Sequence, residues 1–460
     1  MSNVPSVLNF EQNEERSDMN VDTSILDPVV NTTTNCRFII PNKGLLYSKT
    51  CMINLGVKMS NEGEARSAVF LPLVNGVYSM IDRAVLKIGT KVIGEIKDLN
   101  YWMSFYSGLL HPRVVRQQEQ ILTGRGLAVG VSPYSAASSN QEPILNNGYT
   151  FNSYDATGMA AQQLDKYDLF IPDYNNMVAT TDNITQYQVS LKELFPFLDD
   201  YKLPLYLMKE QISIELFYTQ NDDHTCIDVL GGVNNTAKVN IDHPSVFMII
   251  DYIYYDEDKM DELRSEFMGK DNGRLFFVEQ QLVTSSIAND AEGSAFLRNM
   301  GGAGRLVNKI VSMSNPVLTS TQKLNSILNA YHASAPNDNL SYNLIYNDER
   351  LFPVNVTNMA HVASNLKYSE GPLYVPVSQY NRDILDPYPQ QVYGLNVTEM
   401  SGERFYISTK LQKNKRINQR GIILQNYGTY PIAQVTNRSW LEINKIYQLD
   451  SNGYVEISFR

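Results

Sequence analysis

The sequence predicts an all-β protein built from two tandem β-sandwiches, with a few short helices and long loops. Three observations predict it. Short apolar runs alternate with polar residues at a period of two and end in Asn-Gly or Gly turns. Helical periodicity is confined to two short stretches. The second of these falls near the middle of the 460 residues, with strand-like runs on both sides, and each side is long enough to bury a core of its own.

The elements follow in chain order. Residues 1–30 are polar and acidic, with the run Glu11 to Glu15, and read as a flexible arm. Ala68 to Leu73 is a strand-like run closed by the turn dipeptide Asn75-Gly76. Ala84 to Ile88 and Lys91 to Ile96 flank Gly89-Thr90 and read as a hairpin. Pro112 to Leu122 carries Pro at a first helical position and stops before Gly124, so it reads as a helix. The turn-rich stretch from Gly126 to Asp182 is too long for a simple connection and suits an interface loop. In Gln211 to Tyr218, Ile212, Ile214 and Leu216 face one way and Ser213 and Glu215 the other, the pattern of a half-buried strand. Val246 to Tyr255 is apolar on both faces, which suits a strand covered on both sides or a subunit contact. Asp256 to Phe267 has acids in its first turn and a stripe of Met260, Leu263 and Phe267, so it is a helix. Arg274 to Val283 starts a new strand series, and a second loop-rich region runs from Ser334 to about Asp386. Ser439 to Leu449, the turn Asp450 to Gly453 and Tyr454 to Phe459 form the clearest hairpin signal, with Val455, Ile457 and Phe459 on one face. The expected division is an arm over 1–30, a first sandwich over 31–258, a linking helix over 259–270 and a second sandwich over 271–460.

Composition narrows the function. Apolar residues make 43% of the chain and charged residues 19%, which is globular. The net charge of −11 argues against phosphate neutralisation as the main task; the basic run Lys410 to Arg420 reads as a solvated loop between strands. Cys36, Cys51 and Cys226 are too few and too scattered for a disulfide framework and suit a reducing compartment. No signal-peptide pattern is visible at the N-terminus. Val246 to Tyr255 is half the length of a bilayer span of about 20 residues and is interrupted by Asp251, so no transmembrane segment is expected. With 29 Tyr, 17 Phe and only 2 Trp, the aromatic balance suits subunit interfaces as well as ordinary strands.

The chemistry-bearing signatures are missing. The chain has no Cys-x-x-Cys, His-Glu-x-x-His, Gly-x-Ser-x-Gly or Walker-type loop. His224 and Cys226 are close in sequence, but a zinc site needs three or four ligands. Gly301, Gly302 and Gly304 resemble a phosphate loop only loosely, because Phe296 to Met300 does not read as a strand and no helix follows. The acid pairs Asp199-Asp200 and Asp222-Asp223 show no catalytic or calcium-loop spacing and read as turn residues. No catalytic, cofactor-binding or metal residue is therefore assigned, no cofactor is expected, and the chain reads as a non-enzyme.

Two segments carry a family resemblance. Leu71 to Ile93, with Leu71-Pro72, Gly76-Val77, Ile81, Arg83, Ala84, Leu86, Ile88 and Gly89, resembles the first half of double jelly-roll major capsid proteins of polinton-like viruses and virophages. Ser190 to Tyr218 is similar to the same half, and Leu441 to Phe459 to that family's closing strands. The resemblance implies two eight-stranded jelly rolls side by side. It implies homotrimeric, pseudo-hexagonal capsomers that contact neighbouring capsomers and minor or penton proteins, tiling an icosahedral shell around double-stranded DNA. It implies a virion protein assembled in the host cytoplasm or nucleus, with no sequence-specific nucleic-acid binding. Rigid double-sheet walls without an active site suit that task. A carbohydrate-binding or adhesive β-sandwich is the alternative; missing secretion signals and scarce Trp disfavour it. A sandwich enzyme working through paired carboxylates has no spacing to support it.

Overall fold

The structure is a computed structural model and describes residues 19–60, 67–71, 75–103, 122–124, 184–199, 203–220, 226–229, 238–269, 273–288, 293–316, 340–357, 403–423 and 434–459. It is dominated by β-strands. Twelve strands lie in the described part of the first half, and eight of them build its two main sheets: β1 Asn20–Leu26, β2 Asn35–Ile40, β3 Met52–Ser60, β4 Ile81–Ile88, β5 Lys91–Lys97, β6 Ile184–Ser190, β7 Ile212–Tyr218 and β8 Lys238–Tyr254; the short strands Val30–Asn31 and Leu45–Leu46 flank these sheets, and Ser67–Phe70 pairs with Cys226–Val229 apart from them. Eight more form the second: β9 Arg274–Ala288, β10 Ala295–Gly301, β11 Leu306–Pro316, β12 Leu340–Tyr346, β13 Glu349–Arg350, β14 Glu403–Lys410, β15 Ile417–Ile423 and β16 Gln434–Leu449. A last strand, β17 Val455–Phe459, pairs with β16. Helix α1, Glu257–Gly269, separates the two sets.

Both halves obey one pairing rule. In the first, one sheet runs β1-β8-β3-β6 and the other β2-β7-β4-β5. In the second, the orders are β9-β16-β11-β14 and β10-β15-β12-β13. Counted among the eight principal strands of each half, and leaving aside the four short strands of the first, these are ranks 1-8-3-6 and 2-7-4-5 twice over. The fused strand ladder arises because the two halves touch: β5 meets β9 in a parallel pairing of Ile96 with Gln280.

Local chemistry explains the pieces. The β4–β5 hairpin turns at Gly89, whose φ of +58 suits glycine. The final hairpin closes on Gly453 at φ +86, and the Asp450 carboxylate accepts hydrogen bonds from the Asn452 and Tyr454 amides at 2.9 and 2.7 Å. β8 is longer than Val246 to Tyr255. It starts at Lys238 and passes Pro244 through a register shift between Asp242 and Phe247, which is where a sheet tolerates proline. Gly56 on β3 faces this bulge, and a side chain there would overlap Ser245. In α1, Phe267 is buried while Met260 and Leu263 are half-buried, as the stripe predicts.

Several expectations are corrected. Residues 20–26 of the expected arm form β1, paired along its whole length with Tyr254 to Met248 of β8; the alternation of Val21, Thr23 and Ile25 with polar residues was enough to make an edge strand. β7 is not half-buried: Ser213 and Glu215 are buried as well. It is a central strand between β2 and β4, and Arg37 and Lys87 reach the Glu215 carboxylate at 3.4 and 2.6 Å. Phe296 to Met300 does lie in a strand, β10, because pairing with β15 supplies what its local pattern lacks. Within the expected loop region from Ser334, residues 340–350 carry β12 and β13. The loop from Gly126 to Asp182 and nearly all of the Pro112 to Leu122 helix lie outside the described residues.

Candidate functional site at the junction of the halves

The described residues contain no group of three or more His, Cys, Asp or Glu placed to hold a metal ion. Gly301, Gly302 and Gly304 form the turn from strand β10 to strand β11, and no helix opens there. The basic run spans the turn between β14 and β15, with Lys413, Arg416 and Arg420 exposed. Asp222, Asp223 and His224 lie outside the described residues. No helix is long and apolar enough to cross a membrane among them. Among the described residues, Tyr78, Tyr252, Tyr342 and Tyr447 are fully buried and Tyr454 is exposed.

The most constructed feature is the seam between the halves. It begins at the end of β5. Asp98 follows it in the left-handed region, at φ +49, a conformation Asp tolerates better than most residues. That turn aims the Asp98 carboxylate at Arg438 of β16, which donates from Nε at 2.7 Å. The Arg438 guanidinium also lies over the Tyr101 ring, 3.5 Å from its centroid. Next to it, Trp440 of β16 is fully buried and donates its indole N–H to the Lys97 carbonyl at 2.9 Å. Trp102 meets Trp440 edge-on at 5.5 Å. The two tryptophans are the only ones in the chain, and they come from opposite halves.

Further along, four rings run across the seam. Phe195 packs on Phe197, Phe197 on Phe277 of β9, and Phe277 on Tyr447 of β16, at 6.1, 5.3 and 5.3 Å. Gly94 makes room for this: a Cβ there would stand 2.9 Å from the Phe197 ring. The Tyr447 hydroxyl donates to the Val92 carbonyl at 3.2 Å. At the far end, Glu210 accepts from Lys91 at 3.1 Å and from the Val455 amide at 2.8 Å, and Lys91 also donates to the Val455 carbonyl. The Gly453 carbonyl accepts from the Lys209 amide at 2.9 Å.

One continuous apolar cluster therefore holds the first half's core together with Leu275, Phe277, Val311, Trp440, Tyr447, Leu449 and Val455 of the second. A separate cluster, built around Val307, Ile310, Tyr342, Leu344, Leu441 and Ile443, is the second half's own core. Neighbours on β16 divide the work: Leu441 and Ile443 point into the second core, while Trp440 points at the first half. Sequence reasoning noted the scarcity of Trp but missed this use of it. The available signal was the polar-apolar switch in Arg438-Ser439-Trp440-Leu441, where both faces of a strand carry large groups.

No protein-family model and no curated protein matches the sequence. Solved structures do match in fold. A chain of the Sputnik virophage structure aligns with a TM-score of 0.59 at 13% identity, covering 98% of this chain and 91% of that one. A chain of the PBCV-1 virus capsid aligns at 0.55 and 10% identity, covering 98% and 99%. The mavirus major capsid protein aligns at 0.52 and 7% identity, covering 98% and 92%. These alignments run through both halves, and the twofold repeat of ranks 1-8-3-6 and 2-7-4-5 agrees with them. The chain has the double jelly-roll fold of viral major capsid proteins.

Proposed function

We propose that this chain is a major capsid protein, a structural and non-catalytic component of a virion. In this reading three copies form a pseudo-hexagonal capsomer, and capsomers tile an icosahedral shell around a double-stranded DNA genome, meeting minor or penton proteins at special positions. Each chain divides at α1 into two jelly rolls. The observation that carries the reading is the seam. It joins two units of identical strand order into one block, so three chains present six similar walls. The acidic balance leaves genome neutralisation to other components. Glycan binding is a weaker fit, since both tryptophans are buried in the seam and neither can stack on a sugar. Light scattering on purified protein tests the proposal. The expected mass is three times the 52.1 kDa of the chain, or that of larger particles, with hexagonal arrays or regular particles in electron micrographs. A chain that stays monomeric at high concentration sinks it.

A further inference from the structure

The two halves treat the free edge of their rank-2 strand differently. In the first, part of the β2 edge is covered by Val30–Asn31, which pairs with Arg37 and Cys36. In the second, β10 takes no strand on that edge among the described residues. The outward face beside it is apolar and basic. Phe296 and Met300 of β10 and Ile417 of β15 pack into the second core, so Leu297, Arg420 and Ile422 point outward. Leu297 is 69% exposed and stands opposite Arg420; Ile422, two residues on, is 48% exposed. Below Arg420, the β14–β15 turn presents Lys413 and Arg416, both exposed. That turn is held against the β10–β11 turn. The Gly304 amide donates to the Gln412 carbonyl at 3.0 Å, and the Leu411 amide to the Arg305 carbonyl at 2.8 Å. Neither 295–306 nor 411–423 contains an acid.

The start of the chain has the complementary chemistry, in the complementary order. Residues 1–18 lie outside the described residues. Read backward from Asn20, the sequence meets Asp18, Glu15, Glu14 and Glu11, with Arg16 as the one base, and then Phe10, Leu8 and Val7. Asn20 also stands at the matching end of the molecule. It lies opposite Tyr254, the last residue of β8. Gly44 lies against the Tyr254 ring, and its carbonyl accepts from the Tyr206 amide at 3.0 Å. Three residues on, the Lys209 amide donates to the Gly453 carbonyl at 2.9 Å, just past the end of β16. β11 starts toward this same end of β16, with Val307 opposite Ile443. From there upward, the surface of the second half offers Lys413 and Arg416, then Arg420, then Leu297 and Ile422.

We propose that residues 7–15 of the N-terminal arm lie along the outer face of β10 and β15, with Glu11, Glu14 and Glu15 at the three bases and Leu8 and Phe10 over Leu297 and Ile422. Exposed ion pairs are weak singly, so the apolar part is needed to hold the acids in place. The arm also shields an edge strand that would otherwise invite uncontrolled pairing. The inference stands apart from the capsid reading, and a chain that proves monomeric can still pass its tests.

Two measurements on the full-length chain test it. In the first, lysine acylation is read by mass spectrometry at Lys413 and Lys415. Removing residues 1–18 is expected to raise their labelling about tenfold, the size of several exposed ion pairs lost together. In the second, an arginine-specific protease cuts after Arg16. Cleavage is expected to quicken about as much in Lys413→Glu/Arg416→Glu/Arg420→Glu, which alters exposed side chains and leaves the melting temperature unchanged. It slows again when Glu11→Lys, Glu14→Lys and Glu15→Lys are added. Labelling that ignores the arm, or cleavage at the same rate in all three proteins, overturns the proposal. Labelling that falls only when double-stranded DNA or phosphatidylserine vesicles are added overturns it too, since the basic turn would then be a seat for phosphate groups.

Discussion

At the scale of single residues, the seam depends on a few large side chains with polar tips. Trp440 combines full burial with one hydrogen bond to the Lys97 carbonyl. Trp440→Ala is expected to cost about 3–5 kcal/mol, and Trp440→Phe about 1 kcal/mol plus repacking, both read from urea midpoints. The thiols give a pH prediction. Burial pushes Cys36 up to about 11 and Cys51 up to about 12, from 9.0. A folded-state pKa above the unfolded one means that ionisation favours unfolding. Their contribution is therefore complete below pH 9.0 and is lost as pH rises through 11 and 12. Cys36→Ala should lose less stability than wild type between those limits, measured by denaturant melts across the pH series. At neutral pH, both thiols should resist a thiol reagent until denaturant is added.

At the scale of elements, two glycines separate backbone need from convenience. Gly453 sits at φ +86, and a Cβ there would stand 2.6 Å from the Leu207 carbonyl oxygen, across the seam. Gly453→Ala should destabilise by more than about 1 kcal/mol, since strain and a backbone clash add to the loss of the turn. Gly269, the last residue of α1, has no left-handed φ and nothing within 4 Å of its Cβ site. Gly269→Ala should be neutral or gain about 0.4–1 kcal/mol. Thermal melts of the pair check both signs. The same scale shows what the sequence could reveal. The β4–β5 and β16–β17 hairpins were legible because turn chemistry and alternation agree within a dozen residues. β1, β10 and the first part of β8 were not. Ala295 to Gly301 becomes a strand through pairing with β15, more than a hundred residues away, and Pro244 hides the continuity of β8 behind a bulge. Arg438 and Trp440 looked like ordinary strand residues, because their partners Asp98 and Trp102 lie in the other half.

At the scale of the whole molecule, the continuous apolar cluster couples the halves. Calorimetry should show one unfolding transition whose calorimetric and van't Hoff enthalpies agree, as expected when two units cannot lose contacts separately. Two resolved transitions would mean that the seam contributes little. The twofold strand order could not be read from the sequence, although its fold class could: the two halves share a topology without sharing a visible sequence repeat, because pairing order is set by long-range contacts and not by local pattern.

The parallel contact of Ile96 with Gln280, backed by the ring series from Phe195 to Tyr447, has a mechanical consequence. It removes the hinge that a two-unit chain would otherwise have at its midpoint. A load applied to one half is carried into the other through stacked rings and paired strands, so the chain bends as a single stiff plate. Wherever such plates cover a curved surface, the curvature must be taken up at the joints between chains, and the looser contacts there decide the radius.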